Sequence, residues 1–177
     1  MIISCSNQPE NAGILKNYDF SMNDLVEKQI EEIKNDSLCK ALLKDTTVIE
    51  LVKIDANKIK KDLQELKNYD LNKPAFKNAF DVKNTGESTI FKSRDDDNII
   101  KKLEVFKSAD TITKVIIEIK NQNNLYESSK LIEWDINKCI RTRTIQKVKT
   151  MSSDTIDIIS YLNGNCAITS SMLSTGK

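Results

Sequence analysis

The scarcity of chain-breaking residues is the feature that most constrains the fold of this chain. It contains only four glycines and two prolines in 177 residues. Because Gly and Pro supply most tight turns, so few of them favour a small number of long elements over a sandwich of many short strands. Hydrophobic residues make up 39% of the chain, enough for a buried core. We therefore predict a mainly α fold, a small helical bundle.

Apolar periodicity indicates where the helices lie. Between residues 47 and 68 the apolar positions step by three or four, and Thr47 with Glu50 forms a capping box. This stripe would pack on neighbouring helices, and the same stripe could support a homodimer. Ser21 can cap an earlier helix. The same spacing predicts further helices over 22–43, 74–82 and 95–108, and a last one that begins near Ser153 and Asp154.

Residues 110–150 fit two patterns. Val115, Ile117 and Ile119 alternate as on a strand, while Ile112 and Ile116 add a helical spacing. Helices fit the prediction of a bundle. The alternative is an α+β fold with a short antiparallel sheet, in which residues 121–124 join two strands. We divide the chain into a tether (1–20), a single helical domain (21–165) and a loose C-terminal end (166–177).

The chain contains no histidine. This excludes Ser-His-Asp and Cys-His nucleophile systems and histidine-ligated zinc. Asp95, Asp96 and Asp97 are the only tight acidic cluster, but the positions that a calcium loop needs for Gly and a bidentate acid are occupied by Ile100 and Phe106. We therefore predict no enzymatic activity, no cofactor and no metal site.

The four cysteines are Cys5, Cys39, Cys139 and Cys166. In an exported protein one pair can oxidise, and Cys139 with Cys166 is the most local pair. The alternative is that Cys39 and Cys139 are small buried apolar residues.

A basic segment provides the one clear surface feature. No acid occurs between Ile136 and Ser153. On a strand most of these basic side chains would share one face, whereas on a helix they would scatter. Such a patch would bind an anionic polymer or an acidic protein, and nucleic acid is less suited because no aromatic residues interleave with the charges. The alternative is a solvated face. The predicted ligand-binding residues are Lys138, Arg141, Arg143, Lys147 and Lys149.

The N-terminus carries a localisation signal. Ile2, Ile3 and Ser4 precede Cys5, and a polar run follows, which is how a bacterial lipoprotein signal ends. The charged and apolar regions of such a signal are missing, so we interpret the signal as truncated. Cys5 would be the lipid-attachment residue, and residues 6–16 would form a flexible tether.

This motif, with the abundance of Lys, Asn and Ile, resembles Borrelia surface lipoproteins. The resemblance implies a lipid-anchored protein on the outer-membrane surface that binds a host serum or matrix protein. Members of this class capture complement factor H or plasminogen, which implies a role in complement evasion. The alternatives are a periplasm-facing structural lipoprotein and a cytosolic mobile-element protein. The resemblance implies no membrane contact beyond the lipid anchor.

Overall fold

The described part of the chain folds as one antiparallel sheet with two helices against one face, so the predicted helical bundle is wrong. The computed structural model describes residues 18–33, 37–44, 47–149, 152–164 and 166. The elements are α1 (Met22–Glu32), β1 (Ser37–Lys44), β2 (Thr47–Asp55), α2 (Ala56–Leu66), β3 (Phe80–Asn84), β4 (Ser88–Ser93), β5 (Ile100–Ser108), β6 (Thr111–Gln122), β7 (Tyr126–Asp135), β8 (Cys139–Val148) and β9 (Asp154–Tyr161). Two 3-10 turns, Lys67–Tyr69 and Pro74–Phe76, lie between α2 and β3.

The nine described strands follow the order β2-β1-β9-β8-β7-β6-β5-β4-β3, and every neighbouring pair is antiparallel. Strands β3 to β9 form a meander, and the β1–β2 hairpin joins the sheet at β9. Strands β2 and β3 are therefore the two edges. The segment that contains α2 connects these edges and packs on one face of the sheet, which we call the inner face.

The main core lies between the helices and the inner face. The helices contribute fully buried side chains such as Met22 and Leu63, and β6 contributes Val115 and Ile117. Each fully buried side chain of this kind stabilises the fold by roughly 1.5–3 kcal/mol. A second, smaller cluster lies on the opposite, outer face of the sheet, at β1, β8 and β9.

Two predicted helices contain strands, and in β1 the reason is that a step of four residues fits both periods. The helix predicted over 22–43 ends at Glu32, and the one predicted over 47–68 divides at Asp55 into β2 and α2. Asp55 caps α2 by accepting a hydrogen bond from the Asn57 backbone N–H at 2.6 Å. Four is an even number, so apolar residues at that spacing also share one face of a strand.

The remaining predictions of helices also fail. The segment 95–108 contains β5, the segment 74–82 contains a 3-10 turn and the start of β3, and the last predicted helix is β9. Residues 110–150 contain β6, β7 and β8. Strands therefore do form there, and they belong to a nine-stranded sheet rather than to the short sheet of the alternative. The Ser21 cap is confirmed, since its Oγ accepts from the Asp24 N–H at 3.2 Å.

Turns without glycine explain how so many strands coexist with so few chain breakers. The β5–β6 hairpin turns through Ala109 (φ 46°) and Asp110 (φ 62°), and Asn137 between β7 and β8 has φ 61°. Gly86, with φ 87°, serves the β3–β4 turn. Non-glycine residues thus occupy left-handed positions that glycine usually takes.

Described residues of the predicted tether and of the predicted C-terminal end pack against or bond to the sheet. Residues 1–17, including Cys5, lie outside the described residues. Within the predicted tether, Phe20 is buried in the main core, and the rings of Tyr18 and Phe91 meet edge-to-face at 5.3 Å. Within the predicted loose end, Cys166 forms a disulfide with Cys39.

Candidate functional site

The predicted basic patch contains a buried ion-pair cluster. Arg141 and Arg143 both lie on the outer face of β8. They are two residues apart, and such residues share one face of a strand. Arg141 Nε and Nη2 donate to Asp157 Oδ1 and Oδ2 at 3.0 and 2.7 Å, and Arg143 Nη2 donates to Asp157 Oδ2 at 3.1 Å. Hydrogen bonding to Asp157 raises the pKa of Arg141. These two arginines therefore stabilise the sheet through a shared carboxylate.

The three lysines of the patch do not join this cluster. Lys138 is exposed in the turn before β8, and Lys147 and Lys149 are exposed at the opposite end of the strand. A strand rises about 3.3 Å per residue, so Lys138 is separated from Lys147 and Lys149 by roughly 30 Å. The ligand-binding role of the five residues stays a prediction. Lys147 and Lys149 lie outside the ion-pair cluster and remain available to bind a ligand.

Strand β2 presents a long, apolar free edge. Its exposed apolar side chains are Ile49 (57% exposed), Leu51 (47%) and Val52 (39%). The strand has nine residues, and within the described part of the chain only its β1 side is paired. Its other side therefore offers backbone N–H and C=O groups together with apolar side chains.

Strand β3, the opposite edge, has features that protect edge strands from pairing with other chains. Strand β3 has only five residues, with Asp81 and Lys83 on its outer face and one exposed apolar side chain, Val82. Short length and charge are the devices that keep edge strands from pairing with other chains. Strand β2 also carries charges, so its greater length and larger number of exposed apolar side chains select it as the edge suited to a partner.

A polar cleft lies between α2 and the inner face of the sheet. It has a volume of about 190 Å³ and a partly apolar lining to which Ile132, Ile140, Ile158 and Leu66 contribute. Four polar residues, one from each of four adjacent strands, line the sheet wall of this cleft beside the apolar side chains. They are Lys40 (β1), Ser160 (β9), Thr142 (β8) and Lys130 (β7).

The register of the strands brings these four residues together. Lys40 pairs directly with Ser160, Ser160 pairs with the residue two before Thr142, and Thr142 pairs with the residue two after Lys130. Direct pairs have Cβ atoms about 5 Å apart and diagonal pairs about 7 Å apart. The four side chains therefore form a continuous diagonal stripe.

Helix α2 and the turn after it supply the facing wall. Asp62 forms an ion pair with Lys40, and Glu65 and Tyr69 line the same cleft. Burial, assisted by the charge of Glu65, raises the pKa of Tyr69. Among the described residues, Lys130 has no ion-pair partner, and the hydroxyls of Tyr69, Thr142 and Ser160 have no hydrogen-bond partner.

The three cysteines that the structure describes show no reactive site. Cys39 and Cys166 are bonded, with their Cα atoms 5.8 Å apart, so the local pair Cys139–Cys166 is not the one that forms. Cys139 is buried in the outer-face cluster, and burial raises its pKa to about 11. Within the part of the chain that the structure describes, no group of three or more His, Cys, Asp or Glu could hold a metal ion.

Sequence reasoning missed both β2 and the cleft. The apolar spacing predicts a helix over the segment 47–55. The polar residues on the sheet wall of the cleft come from four strands, and their proximity depends on strand register. The sequence carries one signal for the cleft. It is a polar residue within a series of alternate apolar residues, as Lys130 is in the series Lys130, Ile132 and Trp134.

Comparison with known proteins identifies no relative. No family model matches the chain, and neither the curated proteins nor the solved structures include a significant match. No helix among the described residues is long and apolar enough to cross a membrane.

Proposed function

We propose that this protein is a non-catalytic binding module that captures an extended segment of a host protein by strand addition at the free edge of β2. The observation that carries this proposal is the nine-residue edge with three exposed apolar side chains. Strand addition uses the backbone of the edge for affinity and alternate side chains for specificity.

The charges of β2 favour a different protein over a second copy. Glu50 and Lys53 lie three residues apart, so they point to opposite faces of the sheet. Two copies paired antiparallel about a two-fold axis align only residues that point to the same face. Glu50 could then never oppose Lys53, so a self-paired edge cannot match these two charges to each other. A partner segment with a basic residue opposite Glu50 and an acidic residue opposite Lys53 satisfies both.

Two features support an exported, surface-anchored protein. The Cys39–Cys166 disulfide is typical of proteins in oxidising compartments. The motif that ends at Cys5 resembles that of a lipid-attachment site. We therefore propose a lipid-anchored protein on the outer-membrane surface, where complement factor H and plasminogen are the first partners to examine.

The test is capture from serum with matched variants. Wild-type chain, the edge variant I49K/L51K and the control variant I99K/L125K are immobilised, exposed to serum and washed at physiological salt. Retained proteins are identified by mass spectrometry. The control replaces two apolar side chains of similar exposure away from β2, at 45% and 73%. We expect a protein that is enriched on the wild type and the control and lost from the edge variant.

Two results would refute the edge proposal. One is equal retention on I49K/L51K and wild type, and the other is no enrichment on any form. A further variant, K147E/K149E, tests the basic patch in the same experiment, since loss on that variant alone would assign binding to β8.

A further inference from the structure

We propose that the polar cleft beneath α2 binds a small zwitterion with the chemistry of a free aliphatic amino acid. The proposal is independent of the β2 edge, because the cleft opens on the inner face of β1, β7, β8 and β9.

The unpaired charges of the cleft have opposite signs on opposite walls. Lys40 and Asp62 neutralise each other. This leaves the half-buried Lys130 on the sheet and the exposed Glu65 at the rim on α2, and neither has an ion-pair partner among the described residues. A simple anion would be attracted by Lys130 and repelled by Glu65, whereas a zwitterion matches both.

The hydroxyl groups favour a carboxylate at the sheet wall. Thr142 lies diagonally next to Lys130, and Ser160 follows on the next strand. Neither hydroxyl is used by another described side chain, so both can donate to a bound carboxylate beside the Lys130 ammonium. Hydrogen bonds of this charge-assisted kind are about twice as strong as neutral ones.

Size and apolar lining restrict the rest of the ligand. Ile132, Ile140 and Ile158 on the sheet and Leu66 on α2 surround the polar groups. A cavity of about 190 Å³ is smaller than the roughly 300–1,000 Å³ typical of drug-sized ligands. These properties suit an amino acid with a short branched aliphatic side chain, such as valine.

The experiment compares valine with its two halves by isothermal titration of the full chain. Isovalerate keeps the carboxylate and isobutylamine keeps the ammonium. We expect saturable binding of L-valine and at least about tenfold weaker binding of either half, because each half leaves one charged group of the cleft unmatched. Isovalerate that binds as tightly as valine would overturn the zwitterion assignment.

Matched lysine variants place the binding in the cleft. Lys130→Met keeps the length and apolar stem of a half-buried side chain, and Lys138→Met makes the same change at an exposed turn. We expect valine affinity to fall at least about tenfold in K130M and to stay unchanged in K138M. The thermal midpoint of each variant shows that it is folded. Equal affinity in folded K130M and K138M, or no binding of valine to the wild type, would overturn the proposal.

Discussion

At the scale of single residues, Asp157 has the most demanding position. It is 5% exposed on the outer face of β9 and accepts hydrogen bonds from both Arg141 and Arg143. Removing one member of a buried ion pair leaves charge without compensation, which destabilises a protein more than loss of a surface pair does.

We predict that Asp157→Asn lowers the free energy of unfolding by about 3 kcal/mol, because two guanidinium groups lose their shared carboxylate. Urea denaturation followed by circular dichroism measures this change. The control Asp154→Asn makes the same substitution at an exposed position of the same strand and should change stability by less than about 0.5 kcal/mol. Similar effects of the two substitutions would show that the cluster is no more important than a surface pair.

At the scale of elements, the hairpins depend on strained turns. Ala109 and Asp110 both have positive φ, as a type I′ turn requires, but neither residue is glycine. For an alanine, this conformation places Cβ close to the following carbonyl oxygen. The turn is held because β5 and β6 pair from Ile100–Ile119 to Ser108–Thr111.

We predict that Ala109→Gly raises the free energy of unfolding by about 1 kcal/mol, because glycine adopts this φ without the clash. Thermal and urea unfolding report the change. Asn124→Gly is the matched control in the β6–β7 turn, where φ is not positive, and it should give no increase. A gain at residue 124 as large as at residue 109 would assign the effect to general loop flexibility.

At the scale of the whole molecule, the Cys39–Cys166 disulfide connects the two ends of the fold. Cys39 lies in β1 and Cys166 follows β9, and these strands pair with each other. The bond closes a loop of 127 residues in sequence. In the chain-entropy model, cross-links that close long loops restrict the unfolded chain most.

We predict that reduction of this disulfide lowers the free energy of unfolding by about 3 kcal/mol. Urea unfolding with and without dithiothreitol measures the effect. Cys166→Ala should be destabilised to a similar extent and should not respond to the reductant, whereas Cys139→Ala should keep the full response because Cys139 is free. A reductant effect of equal size in C166A would show that another bond is responsible.

The sequence alone determined the local features of this protein. It predicted the Ser21 cap, and its strand alternative for residues 110–150 contained the shared face of Arg141 and Arg143 and the alternation of Val115, Ile117 and Ile119, because each depends on neighbouring residues. The tertiary structure decided the choice between helix and strand where a step of four residues fits both. It also decided which cysteines bond and which polar residues share a cleft, because these depend on the pairing of strands far apart in sequence. Pairing minimises the free energy of the whole sheet, and no local spacing encodes it.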